Sequence, residues 1–210
     1  MVNEDKDGFF MKRIEKAIII ALIFSVIVGS FSAFASECND IRDSVLRLHI
    51  LANSDSAEDQ ALKLKVRDRI LAETGNLFQD ARDLKNAENK VSESLALVKQ
   101  IAEDEIQKQG YHYDVNAELC NMFFNTREYD GVTLPAGRYD AMRITIGEAK
   151  GQNWWCVLYP PMCIPAAQPT QELNDVLNES EMEIVTSEPK YEIRFACVEL
   201  FERFKEALEK

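Results

Sequence analysis

The sequence predicts an α+β fold: a mainly antiparallel sheet with two long amphipathic helices on one face, preceded by an N-terminal signal or transmembrane segment. Three observations predict it. An uninterrupted apolar run lies near the N-terminus. Two long stretches in series repeat their apolar residues every three or four positions. From Tyr111 onward the period drops to two.

The N-terminal segment comes first. Lys12, Arg13 and Lys16 form a basic edge, Ala17 to Val28 is a run of 12 apolar or small residues, and small residues close the segment at Ala33-Phe34-Ala35. These are the parts of a secretory signal peptide, with Ala33 and Ala35 marking the cleavage site. The 19 residues from Ala17 to Ala35 would also suffice for an uncleaved anchor across a bilayer. In both readings the basic edge stays in the cytoplasm, and residues 36–210 form a single extracytoplasmic domain. Glu37 before Cys38 is a poor fit to a lipoprotein processing site.

In the body, Ser44 to Ala52 alternates as a strand, with Leu46, Leu48 and Ile50 on one face. Ser56 and Asp59 resemble a capping box, opening a helix from about Ala57 to Glu73 that ends at Gly75; Leu62, Val66 and Ile70 form its buried stripe. A second helix covers about Leu84 to Gln109, with the stripe Leu84, Ala87, Val91, Leu95, Val98, Ala102 and Ile106 and with Gly110 as the stop. Tyr113, Val115, Ala117, Leu119 and Phe123 then share a strand face, and a turn follows at Leu134 to Gly137. Tyr139 to Ile146 is the next strand. Trp154 to Tyr159 is apolar on both faces and reads as a central strand, ended by Pro160-Pro161. Residues 165–189 read as a long loop with one helical turn at Glu172 to Leu177. Tyr191, Ile193, Phe195 and Cys197 alternate as a last strand, and Val198, Phe201, Phe204 and Leu208 mark a short C-terminal helix.

Composition removes several functions. The chain carries 36 acidic and 24 basic residues, a net charge of −12, which excludes phosphate-backbone binding to nucleic acid. Segment 1–35 is neutral, four basic against four acidic, so the body carries the whole excess. Anionic lipid surfaces repel such a body, so membrane contact is expected only through the N-terminal segment and action at a membrane through a protein partner. Five Cys and two His are too few for a disulfide scaffold or a Cys/His metal cluster, and no calcium-loop pattern occurs. No cofactor and no metal are expected.

Four features remain for chemistry. Cys156 and Cys163 flank Pro160-Pro161 and are either bridged, which would contribute about 2–3 kcal/mol on a chain-entropy estimate, or two buried thiols. Cys120 and Cys197 sit on separate expected strands and read as core thiols. An exported hydrolase using Cys156 or carboxylates is the alternative to a binding protein; it needs a cleft holding Cys156 with His49 or His112, the two imidazoles of the chain. Arg47, His49, Asn53, Ser54 and Asp55 cluster at the end of the first strand, as a site or as a turn and helix cap. Trp154 and Trp155 beside Pro160 and Pro161 are a candidate partner-binding hot spot, although adjacent strand residues face opposite ways and one Trp belongs to the core. Asn178-Glu179-Ser180 matches a glycosylation acceptor, which matters in a eukaryotic secretory pathway.

Two stretches carry a family resemblance. One is Val45-Leu46-Arg47-Leu48-His49-Ile50-Leu51-Ala52-Asn53-Ser54-Asp55-Ser56, continuing through Glu58-Asp59-Gln60-Ala61-Leu62-Lys63-Leu64-Lys65-Val66-Arg67-Asp68. The other starts at Leu134-Pro135-Ala136-Gly137-Arg138-Tyr139. It runs through Arg143, Ile146-Gly147 and Gly151 to Asn153-Trp154-Trp155-Cys156-Val157-Leu158-Tyr159-Pro160-Pro161-Met162-Cys163. Both are similar to the stage II sporulation protein R family of endospore-forming Firmicutes, over about residues 40–163. The resemblance implies a signalling role and not an enzymatic one. It implies secretion across the forespore membrane into the intermembrane space, or anchorage there by residues 17–35. It further implies activation of a membrane-bound aspartic protease, stage II sporulation protein GA, that processes the sigma-E precursor.

Overall fold

The structure, a computed structural model, describes residues 4–79, 81–129, 131–162, 173–174, 176–186 and 192–208. The chain divides into two units, Met1–Asn39 and Asp40–Lys210. The first unit is nearly all helix α1, Glu4–Arg42, whose last residues enter the second. From Ile14 onward α1 is long and apolar enough to cross a membrane. Ile18, Ile20, Leu22, Phe24 and Val26 are exposed along it, and the helix passes uninterrupted through Ala33 and Ala35.

In the second unit, β1 (Leu46–Leu51) is followed by α2 (Ala57–Gln79) and α3 (Leu84–Lys108). Then come β2 (Val115–Phe124), β3 (Arg127–Tyr129), β4 (Val132–Leu134), β5 (Gly137–Ile146) and β6 (Asn153–Tyr159). Two helices, α4 (Glu179–Thr186) and α5 (Glu192–Leu208), complete the described elements. The main sheet has the order β2-β5-β1-β6, and β3 and β4 form a separate hairpin. Strand β1 runs parallel to β5, with Arg47 opposite Ala141 and Leu51 opposite Thr145. It runs antiparallel to β6, and β2 is antiparallel to β5 from Val115–Ile146 to Phe124–Gly137. The sheet is therefore mainly antiparallel, and the α+β architecture is the one expected.

Local chemistry explains the two long helices. The Ser56 hydroxyl accepts the Asp59 amide at 3.1 Å and starts α2. The Asp83 carboxylate accepts the Asn86 amide at 2.7 Å and starts α3. Gly110, at φ +86°, follows the last turn of α3 in the left-handed conformation that ends a helix. Helix α2 continues through Gly75, past its expected end; a helical Gly costs about 0.5–1 kcal/mol, which packing of the preceding turns offsets. Leu62, Val66 and Ile70 of α2 and Ala87, Val91, Val98, Ala102 and Ile106 of α3 meet Leu46, Leu48, Ile50, Met142, Ile144, Ile146, Cys156 and Leu158 of the sheet in one core.

Three expectations are corrected. Strand β6 lies at the end of the sheet and not in its middle. Its two apolar faces are explained by cover on both sides, α2 and α3 on one and an aromatic cluster on the other. The alternating run Ile193, Phe195 and Cys197 is the first part of helix α5, not a strand, and Tyr191 lies outside the described residues. Among the described residues of that helix, Phe195 and Val198 are the buried ones. Polar groups on the same side hold it to the body: Glu202 pairs with Arg42 at 3.3 Å, Glu206 with Arg138 at 2.6 Å, and Glu199 accepts the Thr126 amide at 3.2 Å. Cys197 is consequently an exposed free thiol and not a core one, while Cys120 is half-buried.

The expected loop at 165–189 contains helix α4. Its start is a reciprocal capping box, in which Asn178 Oδ1 accepts the Glu181 amide at 3.0 Å and Glu181 Oε2 accepts the Asn178 amide at 2.8 Å. The acceptor triplet beginning at Asn178 is thus a helix start. Before it, Val176 and Leu177 donate to the Leu173 carbonyl and close a helical turn within the region where one was expected.

Candidate functional site

The polar cluster at the end of β1 separates into two parts with different jobs. Asn53 and Ser54 form a turn. Asn53 Nδ2 and Ser54 Oγ donate to the Asp59 carboxylate at 2.8 and 2.5 Å. Burial raises the Asp59 pKa, but hydrogen bonds from Ser54, Asn53 and Tyr113 outweigh it and hold the carboxyl below its usual range. The same turn is joined to the β5–β6 turn. Glu148 N donates to Asn53 Oδ1 at 2.9 Å, Lys150 N to Asn53 O at 3.1 Å, and Gly151 N to Ala52 O at 3.0 Å. Gly151 has to be glycine here, because a Cβ would overlap the Ser54 carbonyl. Asn53, Ser54 and Asp55 are therefore architecture.

Arg47 and His49 point to the other side of the sheet, away from α2 and α3. Arg47 is fully buried. Its guanidinium lies over three rings, with Cζ 4.4 Å from the Phe124 centroid, 4.9 Å from Tyr139 and 5.3 Å from Tyr129. Nη2 donates to the Tyr129 hydroxyl at 2.5 Å, and Nε and Nη1 have no hydrogen-bond partner. Burying a cation without a carboxylate costs several kcal/mol. Desolvated cation–π contacts return about 2 kcal/mol or more each, so the three rings offset much of that cost. The aromatic box therefore tolerates Arg47 and does not neutralise it.

His49 sits one alternate position along. Its ring stacks on Trp155 at 3.9 Å and 10°, and Phe124 meets Trp155 edge-on at 4.7 Å. Nε2 donates to Asn153 Oδ1 at 2.6 Å, while Nδ1 has no partner. Burial, only partly opposed by the Asn153 hydrogen bond, lowers the His49 pKa from its ordinary 6.5 to about 4, and the charges of Arg143 and Lys63 push the same way. The imidazole is neutral at physiological pH. Arg127, 6.0 Å from the Trp155 centroid, adds cationic character to this side of an acidic chain. What this side presents to solvent is the half-buried Trp155 and the exposed cation of Arg127, an aromatic–cation pair of the kind that can receive an acidic or apolar group.

The other expected site residues fall around this face. Trp154 and Trp155 point to opposite sides, as alternation requires, and both are half-buried. Trp154 packs on the core with Arg67 above it at 4.8 Å, leaving Trp155 as the hot-spot candidate on the Arg47 side. Pro160 is buried and follows a cis bond from Tyr159, and Pro161 is half-buried. Cys156 is opposite Leu48, within the helix-side core, whereas His49 is opposite Trp155. Cys156 and His49 thus lie on opposite faces and do not form a nucleophile–base pair. His112 is exposed ahead of β2, with β5 and β1 between it and β6. Cys163 lies outside the described residues. Among the described residues no group of His, Cys, Asp and Glu converges as a metal-ligand set.

Comparison with known proteins gives the family. The family model for stage II sporulation protein R matches residues 42–169, well over half of the chain. A stage II sporulation protein R of Bacillus subtilis (strain 168) is 35% identical over 159 residues, covering 71% of this chain and 71% of the relative. Matches of this extent make the chain a member of that family. No solved structure matches.

Two outcomes follow from the site. Replacing Arg47 by Met keeps the ring contacts and removes the buried charge, so the unfolding free energy should equal or exceed that of wild type. A loss beyond about 2 kcal/mol in denaturant titration would show that the guanidinium stabilises the fold. His49 has a depressed folded-state pKa, so its contribution is complete above pH 6.5 and is lost as pH falls from there toward about 4. Thermal melts of wild type should show a steeper decline across that window than melts of His49→Gln, and parallel curves would contradict the buried neutral imidazole.

Proposed function

We propose that this member of the stage II sporulation protein R family is an exported intercellular signalling protein of endospore formation, and that it acts by binding. In this reading residues 1–35 direct it across the forespore membrane, by cleavage after Ala35 or by anchorage through residues 17–35. Its target is the outward part of a membrane-bound aspartic protease, stage II sporulation protein GA, which then processes the sigma-E precursor. The family match over residues 42–169 carries the sporulation role. The membrane-length apolar helix is compatible with export or anchorage. For the protease step, the binding chemistry of the Trp155 face supports the reading. A ligand activates such a target only to the extent that it binds the active state better than the inactive one. A half-buried Trp beside Arg127, backed by rigidly packed rings, supplies contacts of that strength. The cysteine-hydrolase reading has no comparable support, since Cys156 and His49 occupy opposite faces.

The same reading includes a Cys156–Cys163 bridge. Among the described residues, the cysteines outside any bridge are Cys38, Cys120 and Cys197, a set without Cys156. Alkylation of the denatured, unreduced protein purified from an oxidising compartment should therefore modify three of the five cysteines. Modification of all five would dismiss the bridge.

The signalling role is tested by producing this chain in a non-sporulating host together with the protease and the sigma precursor. Immunoblots should show shortened precursor only when the apolar segment is intact. A Trp154→Ala, Trp155→Ala double variant should abolish processing while retaining a cooperative thermal transition. Normal processing by that folded variant would remove the tryptophans from the interface.

A further inference from the structure

Helix α5 is turned inside out relative to an ordinary surface helix. Ile193, Leu200, Phe201, Phe204 and Leu208 are each between 58% and 80% exposed. At 100° per residue they fall within one arc, with the exposed thiol of Cys197 inside it. The acids Glu199, Glu202 and Glu206 lie on the opposite side and are engaged with the body, at the Thr126 amide, Arg42 and Arg138. Arg194 and Lys205 flank one edge of the apolar arc and Arg203 the other, and all three are exposed. Arg203 is shared with Glu199 at 2.7 Å and Asn125 at 3.2 Å.

We propose that α5 is an interfacial helix whose outward face lies in the headgroup region of a bilayer containing anionic phospholipid. An apolar arc of Ile, Leu and Phe bordered by Arg and Lys is the pattern that inserts at that depth, with the bases meeting lipid phosphates. The charge arrangement favours lipid over a second copy. Antiparallel self-pairing brings each flank against itself, so Arg194 and Lys205 meet their own counterparts. Parallel pairing brings them against Arg203, whose charge Glu199 offsets, so like charge opposes the antiparallel pairing above all. The membrane-length helix α1 gives the chain a reason to be at a bilayer, where a second, weaker contact gains from high local concentration. The body as a whole is strongly acidic, so the expectation of membrane contact through the N-terminal segment alone gives way to a second contact where the acids are turned inward.

The inference does not depend on protease activation, and its test reads lipid contact directly. The full chain, with Cys38, Cys120, Cys156 and Cys163 replaced by Ala, is labelled at Cys197 with an environment-sensitive fluorophore and reconstituted into nanodiscs of phosphatidylcholine with or without phosphatidylglycerol. Because α1 carries every variant into the disc, the probe reports α5 alone. Phosphatidylglycerol discs should give a blue-shifted emission that brominated lipid quenches. Phosphatidylcholine discs should give a smaller shift, and Leu200→Glu, Phe204→Glu should lose it. A probe that stays water-like in both discs overturns the proposal. So does a shift that brominated lipid leaves unquenched, which would indicate a second copy or another protein on this face.

Discussion

Strand β1 has a hydrogen-bonded neighbour on each side and a packed layer on each face, and the other elements of the body are arranged around that enclosure. A parallel partner cannot be reached by a tight turn, so the chain must travel between β1 and β5. It does so through α2, α3, β2 and the β3–β4 hairpin. That excursion covers both sides of the strand it leaves. The helices lie over Leu46, Leu48 and Ile50, and the hairpin supplies Tyr129 on the side of Arg47. The antiparallel partner β6 follows β5 through a turn whose amides are held by the backbone and side chain of Asn53. The two segments that carry the family resemblance meet here as adjacent strands.

The two faces of this sheet do different work. The helix side is an aliphatic core in which burial alone provides stability. The other side holds a buried guanidinium, a neutral imidazole and four aromatic rings. A chain selected only for stability would not place Arg47 there, because an apolar residue of similar size fills the same box without desolvating a charge. Trp155, half-buried, is where that arrangement reaches solvent.

Much of this was legible in the sequence. The stripes of α2 and α3, the alternation of β1 and β5 and the opposite orientations of Trp154 and Trp155 all follow from local periodicity. The position of β6 did not follow, because an edge strand covered on both faces has the same apolar pattern as a central one. Arg47 and His49 read as ordinary alternating residues. Their burial depends on Phe124, Tyr129, Tyr139 and Trp155, which only the sheet register brings together. The part of α5 from Val198 onward is legible as a helix; its first turns alternate at Ile193, Phe195 and Cys197 and read as a strand, and that its apolar residues face solvent reverses the usual rule. The start of α4 did leave a local signal, Asn178 followed three residues later by Glu181, but the prolines around it suggested a loop.

The parallel pairing of β1 with β5 has a kinetic consequence. Arg47 and its partner Ala141 are 94 positions apart. Non-local pairings of this kind raise the contact order and slow folding, since loop-closure entropy precedes the gain from contact. A chain emerging from its N-terminus first holds Leu46 to Leu51 without either neighbour until most of its length is available. The sheet can therefore close only once β5 and β6 have been synthesised.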